Sequence, residues 1–194
     1  MFGHGPFGTS AFSALPEEIP SAQLPALMIS SLITFDSKVA DGRLIASTTT
    51  IWEEIARTLG SDWSQAFNIP PDRWEEIIAG AFKKDGYDEV TLTPRSGDHG
   101  RDVIAVRRGV GSVRILGSVK AYAPTHLVTK EQVHSLMGVV NLDPNASKGI
   151  ITTTSDFAPK ILEDKNLAAA VPHRIELVNG IKLKKWLDGL RSSA

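Results

Sequence analysis

The sequence predicts an α/β sandwich, with an αβββαβ core on a mixed central sheet flanked by helices and a mainly helical N-terminal extension. Three observations predict it. From Pro70 onward, helical and strand periods follow one another in the order α-β-β-β-α-β-α-β-α. Within that order, DEVTLTP, RDVIAVRR and SVRILGSVK are short runs rich in β-branched residues, separated by glycine-containing turns, and they read as an antiparallel meander. Before them, PPDRWEEIIAGAFKKDGY carries the clearest amphipathic stripe in the chain.

Each element has its own signal. Residues 1–23 are rich in Gly, Phe, Pro and Ser without either period, and read as a flexible arm that can dock on a partner subunit. LPALMISSLITF is apolar but too short to assign by period. In TTIWEEIARTLG, Ile51, Ile55 and Leu59 recur at helical spacing and Gly60 supplies a stop. The main stripe comprises Trp74, Ile77, Ile78, Ala81 and Phe82, and Asp72 followed by Glu75 resembles a capping box at its start. TKEQVHSLMGVV places Val133, Leu136, Met137 and Val140 on one face behind Thr129 as cap. KGIITTT reads as a strand, SDFAPKILEDKNLAAA as a helix opening at Ser155, RIELVNG as a strand and IKLKKWLDGL as a closing helix. The expected division is an arm and helical adaptor at 1–69 and a main domain at 70–194.

The chain has 194 residues, 42% of them hydrophobic, enough for one sizeable core. With no cysteine it has no disulfide framework and no thiolate metal site, so any metal must be held by oxygen or imidazole. The start lacks a basic n-region and a continuous apolar core, and no run approaches the roughly 20 apolar residues of a membrane span. The expectation is a cytoplasmic protein. The net charge of −1 divides unevenly: residues 1–73 carry 4 Lys/Arg against 8 Asp/Glu, giving −4, and residues 74–194 carry 17 against 14, giving +3. The basic surplus lies in the half that holds RSGDHGRDVIAV.

In that segment Asp98 and Asp102 lie four apart in a glycine-rich turn before an apolar strand, and the next strand ends in Lys120. If strands 102–107 and 113–119 form a hairpin with Arg107 opposite Val113, Asp102 falls opposite Ser118 and shares a face with Ser118 and Lys120. A carboxylate beside an amine at a strand end suits phosphodiester hydrolysis. The carboxylate and the phosphate can share a hard divalent cation, and the lysine can orient water. Glu75, one residue off the apolar stripe, is a candidate second acid. Two carboxylates about 4 Å apart repel by roughly 4 kcal/mol at an effective dielectric of 20, so clustering them makes sense mainly around a cation.

WEEIIAGAFKKDGY, SGDHGRDVIA, SVK, GIITTTSDFAPKI and IELVNGIKLKKWL stand in the order and at the spacings of the Mrr-type restriction endonuclease domain, a branch of the PD-(D/E)XK nucleases. The resemblance covers residues 70–190. It implies a magnesium-dependent DNA-cleaving site, with Mn²⁺ able to substitute, at Glu75, Asp102 and Lys120, with Asp98 as a supporting acid and Glu75, Asp102 and Asp98 as metal ligands. Where the family has Gln or Glu this chain has Ser118, a shorter neutral donor that reaches metal through water. The implied partner is double-stranded DNA, modified or foreign, cut by a homo-oligomer in a defence role.

Plainer roles exist for the same residues. Asp98 can be a turn former, Glu75 a cap, and Asp102 with Lys120 a structural ion pair. His99 can touch phosphate or be an exposed turn histidine. Arg101, Arg107 and Arg114, with Lys83, Lys84 and Arg108, can track phosphates or form a solvated face. Trp52, Trp63, Trp74 and Trp186 read as core or interface anchors, because none sits in a basic loop. Two rival functions follow from the resemblance: a weakened DNA-binding or assembly subunit, and a junction or repair nuclease.

Overall fold

The computed structural model describes residues 24–94 and 100–191. Its centre is a seven-stranded sheet in the order β1-β2-β3-β4-β5-β6-β7. The strands are β1 (Ile33–Val39), β2 (Gly42–Thr48), β3 (Glu89–Leu92), β4 (Val103–Arg107), β5 (Val113–Lys120), β6 (Lys148–Thr153) and β7 (Ile175–Val178). Pairing is antiparallel from β1 to β5 and parallel from β5 to β7. The helices are α1 (Leu24–Leu27), α2 (Thr50–Ser61), α3 (Pro71–Lys84), α4 (Lys130–Leu142), α5 (Lys165–Ala170) and α6 (Gly180–Arg191). The parallel strands are joined through α4 and α5, as strands running the same way require.

Strand parity sorts the core into two clusters. Val103, Ala105 and Ile115 face one side, packed with Trp52 and Ile55 of α2, with Trp74, Ile77, Ile78 and Phe82 of α3, and with Leu183 and Leu187 of α6. Ile104 and Leu116 face the other, packed with Val133, Leu136 and Val140 of α4 and Leu167 of α5. The predicted stripe of α3 is wholly buried. Trp52 Nε1 donates to the Ile77 carbonyl at 3.0 Å, so α2 is locked to α3 by a hydrogen bond as well as by apolar contact. No helix among the described residues is long and apolar enough to cross a membrane.

Three expectations change. Among its described residues the extension is mixed rather than mainly helical: α2 forms but runs through Gly60, expected to stop it, to Ser61, and residues 33–48 build the β1–β2 hairpin, which joins the sheet through Arg43 opposite Leu92 and Leu44 opposite Thr91. β1 is an edge strand exposed along most of its length, so it lacks the alternation that would reveal it. At α3, Asp72 is not the cap. Pro71 occupies the first helical position and Pro70 precedes it, with the N–H groups of Arg73 and Trp74 both bonded to the Pro70 carbonyl at 3.1 Å. Proline is preorganised for that position and lacks the N–H it would leave orphaned, so the helix starts early. Finally, residues 155–170 are not one helix. Pro159 interrupts it, and α5 starts only at Lys165, where Asp164 accepts from the N–H groups of Asn166 and Leu167.

Candidate active site

The hairpin that positions the candidate residues has the expected register. Arg107 pairs with Val113 and Val103 with Gly117. The loop between them turns through Gly109 (φ 121°) and Gly111 (φ 74°), backbone angles that only glycine adopts without strain. One residue beyond the ladder, Asp102 is fixed at both its backbone and its side chain. Its N–H donates to the Gly117 carbonyl at 2.8 Å, its carbonyl accepts from Thr93 N–H at 3.1 Å, and its Oδ2 accepts from Val119 N–H at 2.6 Å. Val119 lies between Ser118 and Lys120, so the carboxylate is held against the strand end that carries both.

Ser118 is buried, at 3% exposure, and Lys120 is half-buried. Both are paired in register with β6, Ser118 with Ile151 and Lys120 with Thr153. The end of β6 is polar although buried: Thr152, Thr153, Thr154 and Ser155 are all under 9% exposed. Thr152 Oγ1 donates to the Ser118 carbonyl at 3.3 Å, and Thr154 N–H to the Lys120 carbonyl at 3.3 Å. These bonds hold the backbone under Ser118 and Lys120 from the side opposite Asp102. Beyond Lys120, Thr154 Oγ1 bonds both the N–H and the carbonyl of Tyr122, and Tyr122 stacks on His126 with centroids 4.1 Å apart.

Glu75 approaches from elsewhere. It is half-buried on α3, which covers the sheet face opposite to that of Ser118 and Lys120. It lines a groove of about 810 Å³ between α3 and the β1–β2 hairpin, bounded also by Asp72, Glu76 and Thr93. Thr93 links the groove to the hairpin, because its Oγ1 donates to the carbonyls of Arg101 at 2.6 Å and Asp102 at 3.1 Å. Among the described residues, no three His, Cys, Asp or Glu side chains come together as a metal cluster. Asp98 and His99 lie outside the described residues.

The arginines are engaged within the chain. Arg101 and Arg114 both reach Asp41, at 3.1 and 3.2 Å, and Asp143, at 3.6 and 3.2 Å. This four-membered network ties the residue before Asp102 to the β1–β2 turn and to the end of α4. Sequence reasoning missed it, since Asp41 is 60 and 73 residues from its partners and bears no local signal. At the other end of the hairpin, Arg107 donates to the Asp85 carbonyl at 2.5 Å and lies over the Tyr87 ring at 4.4 Å.

Three comparisons bear on this arrangement. Residues 67–187 match the family model Mrr_cat, described as a restriction endonuclease. No curated protein matches the chain. Among solved structures, the MspJI restriction endonuclease in complex with a 27-mer oligonucleotide is 19% identical with a TM-score of 0.45, covering 81% of this chain and 38% of its own. The DNA modification-dependent restriction endonuclease AspBHI is 17% identical with a TM-score of 0.48, covering 85% of this chain and 44% of its own. The chain thus spans less than half the length of either. The family match covers well over half of the sequence, and it includes α3, the β4–β5 hairpin and the end of β6 described above: the chain belongs to the Mrr-type restriction endonuclease family.

Proposed function

We propose that the chain is a divalent-metal-dependent endodeoxyribonuclease that hydrolyses phosphodiester bonds of double-stranded DNA, modified or foreign, in defence. The observation that carries this reading is the Asp102 carboxylate held by Val119 N–H between Ser118 and Lys120. Asp102 and Glu75 are hard oxygen donors, which fit Mg²⁺ or Mn²⁺ in kind. Asp102 and Glu75 would hold such an ion, which usually keeps several waters. Asp98 is proposed as a further acid. A bound cation offsets charge on the phosphoryl oxygens and lowers the pKa of water.

The protein groups then divide the work. Asp102 holds its place through Val119 N–H, Glu75 enters from α3, and Ser118 offers a hydroxyl that acts through water. Lys120 donates a hydrogen bond to the attacking water and orients it. His99, at the Asp102 end, is assigned a phosphate contact, and Arg101, held by Asp41 and Asp143, acts through its field. Arg107 and Arg114, occupied by Asp85, Asp41 and Asp143, contribute through the long-range field. Cutting both strands is a symmetric task suited to a homo-oligomer, and a cytoplasmic setting accords with a defence role. Residues 70–194 are proposed as the nuclease unit and 1–69 as the extension attached to it.

Ser118 favours a second reading, a weakened DNA-binding subunit, since a neutral hydroxyl stands where the family pattern carries Gln or Glu. The test is cleavage of linear duplex, methylated duplex and four-way junction DNA at low salt with Mg²⁺, Mn²⁺ or chelator. Duplex cutting that needs metal is the expected result. Binding without cutting in either metal would favour the subunit, and a marked preference for the junction would favour a repair role.

A further inference from the structure

The β1–β2 hairpin closes on the two-residue turn Ala40–Asp41, with Val39 paired to Gly42, and so short a loop leaves Asp41 little backbone freedom. Its carboxylate bridges two arginines: Oδ1 accepts from Arg101 Nη2 at 3.1 Å and Oδ2 from Arg114 Nη2 at 3.2 Å. Asp143 also meets both, but its Oδ2 hydrogen-bonds Arg114 at 3.2 Å and lies 3.6 Å from Arg101, beyond hydrogen-bond reach. Of the two acids, Asp41 is therefore the one that fixes the Arg101 guanidinium by direction as well as by charge. Arg101 Nε is buried with no hydrogen-bond partner among the described residues, so the guanidinium sits where one donor is unsatisfied and is kept there by the carboxylates. The same turn reaches Asp102 by a second route. Gly42, buried at the start of β2, passes so close to β3 that a Cβ there would lie 2.2 Å from the Leu92 carbonyl oxygen. The next residue, Thr93, donates its N–H to the Asp102 carbonyl and its Oγ1 to the carbonyls of Arg101 and Asp102. The β2–β3 ladder consists of Arg43 opposite Leu92 and Leu44 opposite Thr91, so the seat of the turn against β3 depends on contacts beyond that short ladder.

We propose that Asp41 is a positioning residue for the nuclease site: through Arg101 it holds the residue before Asp102, and so keeps the Asp102 carboxylate on Val119 N–H. This rests on the nuclease reading above and deepens it, because the extension then supports the site rather than merely being attached to the domain that holds it. Gly100 precedes Arg101 with φ 81°, and β4 begins only at Val103, so the chain arrives at Asp102 from a turn and not from a strand. The direction of the Asp102 side chain therefore depends on how residues 101 and 102 are tethered. Arg101 is tethered at its carbonyl by Thr93 and at its guanidinium by Asp41. Loss of a partner that orients a metal ligand typically lowers metal affinity or activity by about 10- to 100-fold, and an acid acting through one further residue belongs at the lower end of that range. A brace of the sheet alone would behave differently, since its loss would loosen β4 and β5 evenly.

Val119 supplies the test. Its N–H donates to Asp102 Oδ2, so its amide exchange, followed by NMR in the full chain at neutral pH without metal, rises when that carboxylate leaves. Ile115 and Leu116, buried in the same strand with a neighbouring strand on each side, report the stability of the sheet as a whole. With its side chain 39% exposed in a turn, Asp41 tolerates the change to Asn without leaving a cavity. In Asp41→Asn, Val119 exchange should rise about tenfold relative to Ile115 and Leu116. The half-saturating Mg²⁺ concentration for duplex cleavage should rise by a similar factor, with KM for DNA within about twofold and the rate recovered at saturating Mg²⁺. Asp41→Glu, which keeps the charge, should restore most of both. In an Arg101→Met background, Asp41→Asn should have no further effect on Val119 exchange, because the two residues act through one contact. Val119 exchange that rises no more than that of Ile115 and Leu116 would make Asp41 a brace of the fold alone and overturn the proposal. Additive effects of Asp41→Asn and Arg101→Met would overturn it too, by placing the coupling outside the pair. If the native chain cuts no DNA, the nuclease reading fails, while the exchange comparison still decides whether Asp41 positions Asp102.

Discussion

At one end of the β4–β5 hairpin, a carboxylate takes a backbone N–H from the strand that carries Ser118 and Lys120, and the buried threonines of β6 brace that strand from its other edge. At the opposite end, Arg107 serves the Asp85 carbonyl and the Tyr87 ring, and Arg108 bonds the Glu89 carboxylate across the neighbouring strand. Both ends are dense in charge. The far end pairs exposed cations with partners at the surface, an arrangement of little energetic consequence. The near end gathers half-buried groups whose placement is fixed by backbone, and fixed geometry lets a site act on a substrate without reorganising. Position in the ladder, rather than charge as such, separates the end proposed to cut DNA from a solvated one.

This contrast can be broken or sharpened by substitution. Lys120→Ala should lower the metal-dependent cleavage rate by about 10²- to 10³-fold, with DNA affinity changed only a few-fold, measured by plasmid nicking beside a binding titration. Ser118→Ala should cost about tenfold, as expected for a group acting through water, and the loss should shrink at high Mg²⁺. Arg101→Ala removes one partner each from Asp41 and Asp143; thermal unfolding should report a loss of about 1–2 kcal/mol, with the remaining Arg114 limiting it. Arg107→Ala should leave cleavage within about twofold and cost about 0.5–1 kcal/mol of stability.

The smallest effect concerns pH. The hydrogen bond from His134, 3.0 Å away, is the main cause holding the Asp164 carboxyl below its usual range, with the N–H groups of Leu167 and Asn166 adding to it. A depressed carboxyl stabilises the fold above its unfolded value near about 3.9 and loses that contribution as pH falls through the folded value. The difference in unfolding temperature between the native chain and Asp164→Asn should therefore be constant near neutrality and narrow below about pH 4.

What could be read from residues follows the same division. The hairpin was legible because both runs are rich in β-branched residues and the glycines at 109 and 111 fix where the chain turns. Lys120 and Asp102 followed from register. The stripe of α3 was legible from spacing, but not its start, because two consecutive prolines imitate a loop while in fact opening the helix. The β1–β2 hairpin was hidden by the exposure of its edge strand, and the interrupted helix at 155–170 by a favourable composition around Pro159. The Asp41 network joins residues far apart in the chain, and only tertiary packing brings them together. Glu75 was readable as an acid beside the α3 stripe, while its place on the opposite face of the sheet was not.

On the proposed reading, DNA is cut at the Asp102 end of the hairpin. Its most direct test is the initial rate of plasmid cleavage in Mg²⁺ by Asp102→Asn, a substitution that preserves shape and can still accept from Val119 N–H. A loss of about 10³-fold or more with DNA binding and thermal stability retained is the predicted result. Cleavage within about tenfold of the native rate would place the cutting centre elsewhere and contradict the account.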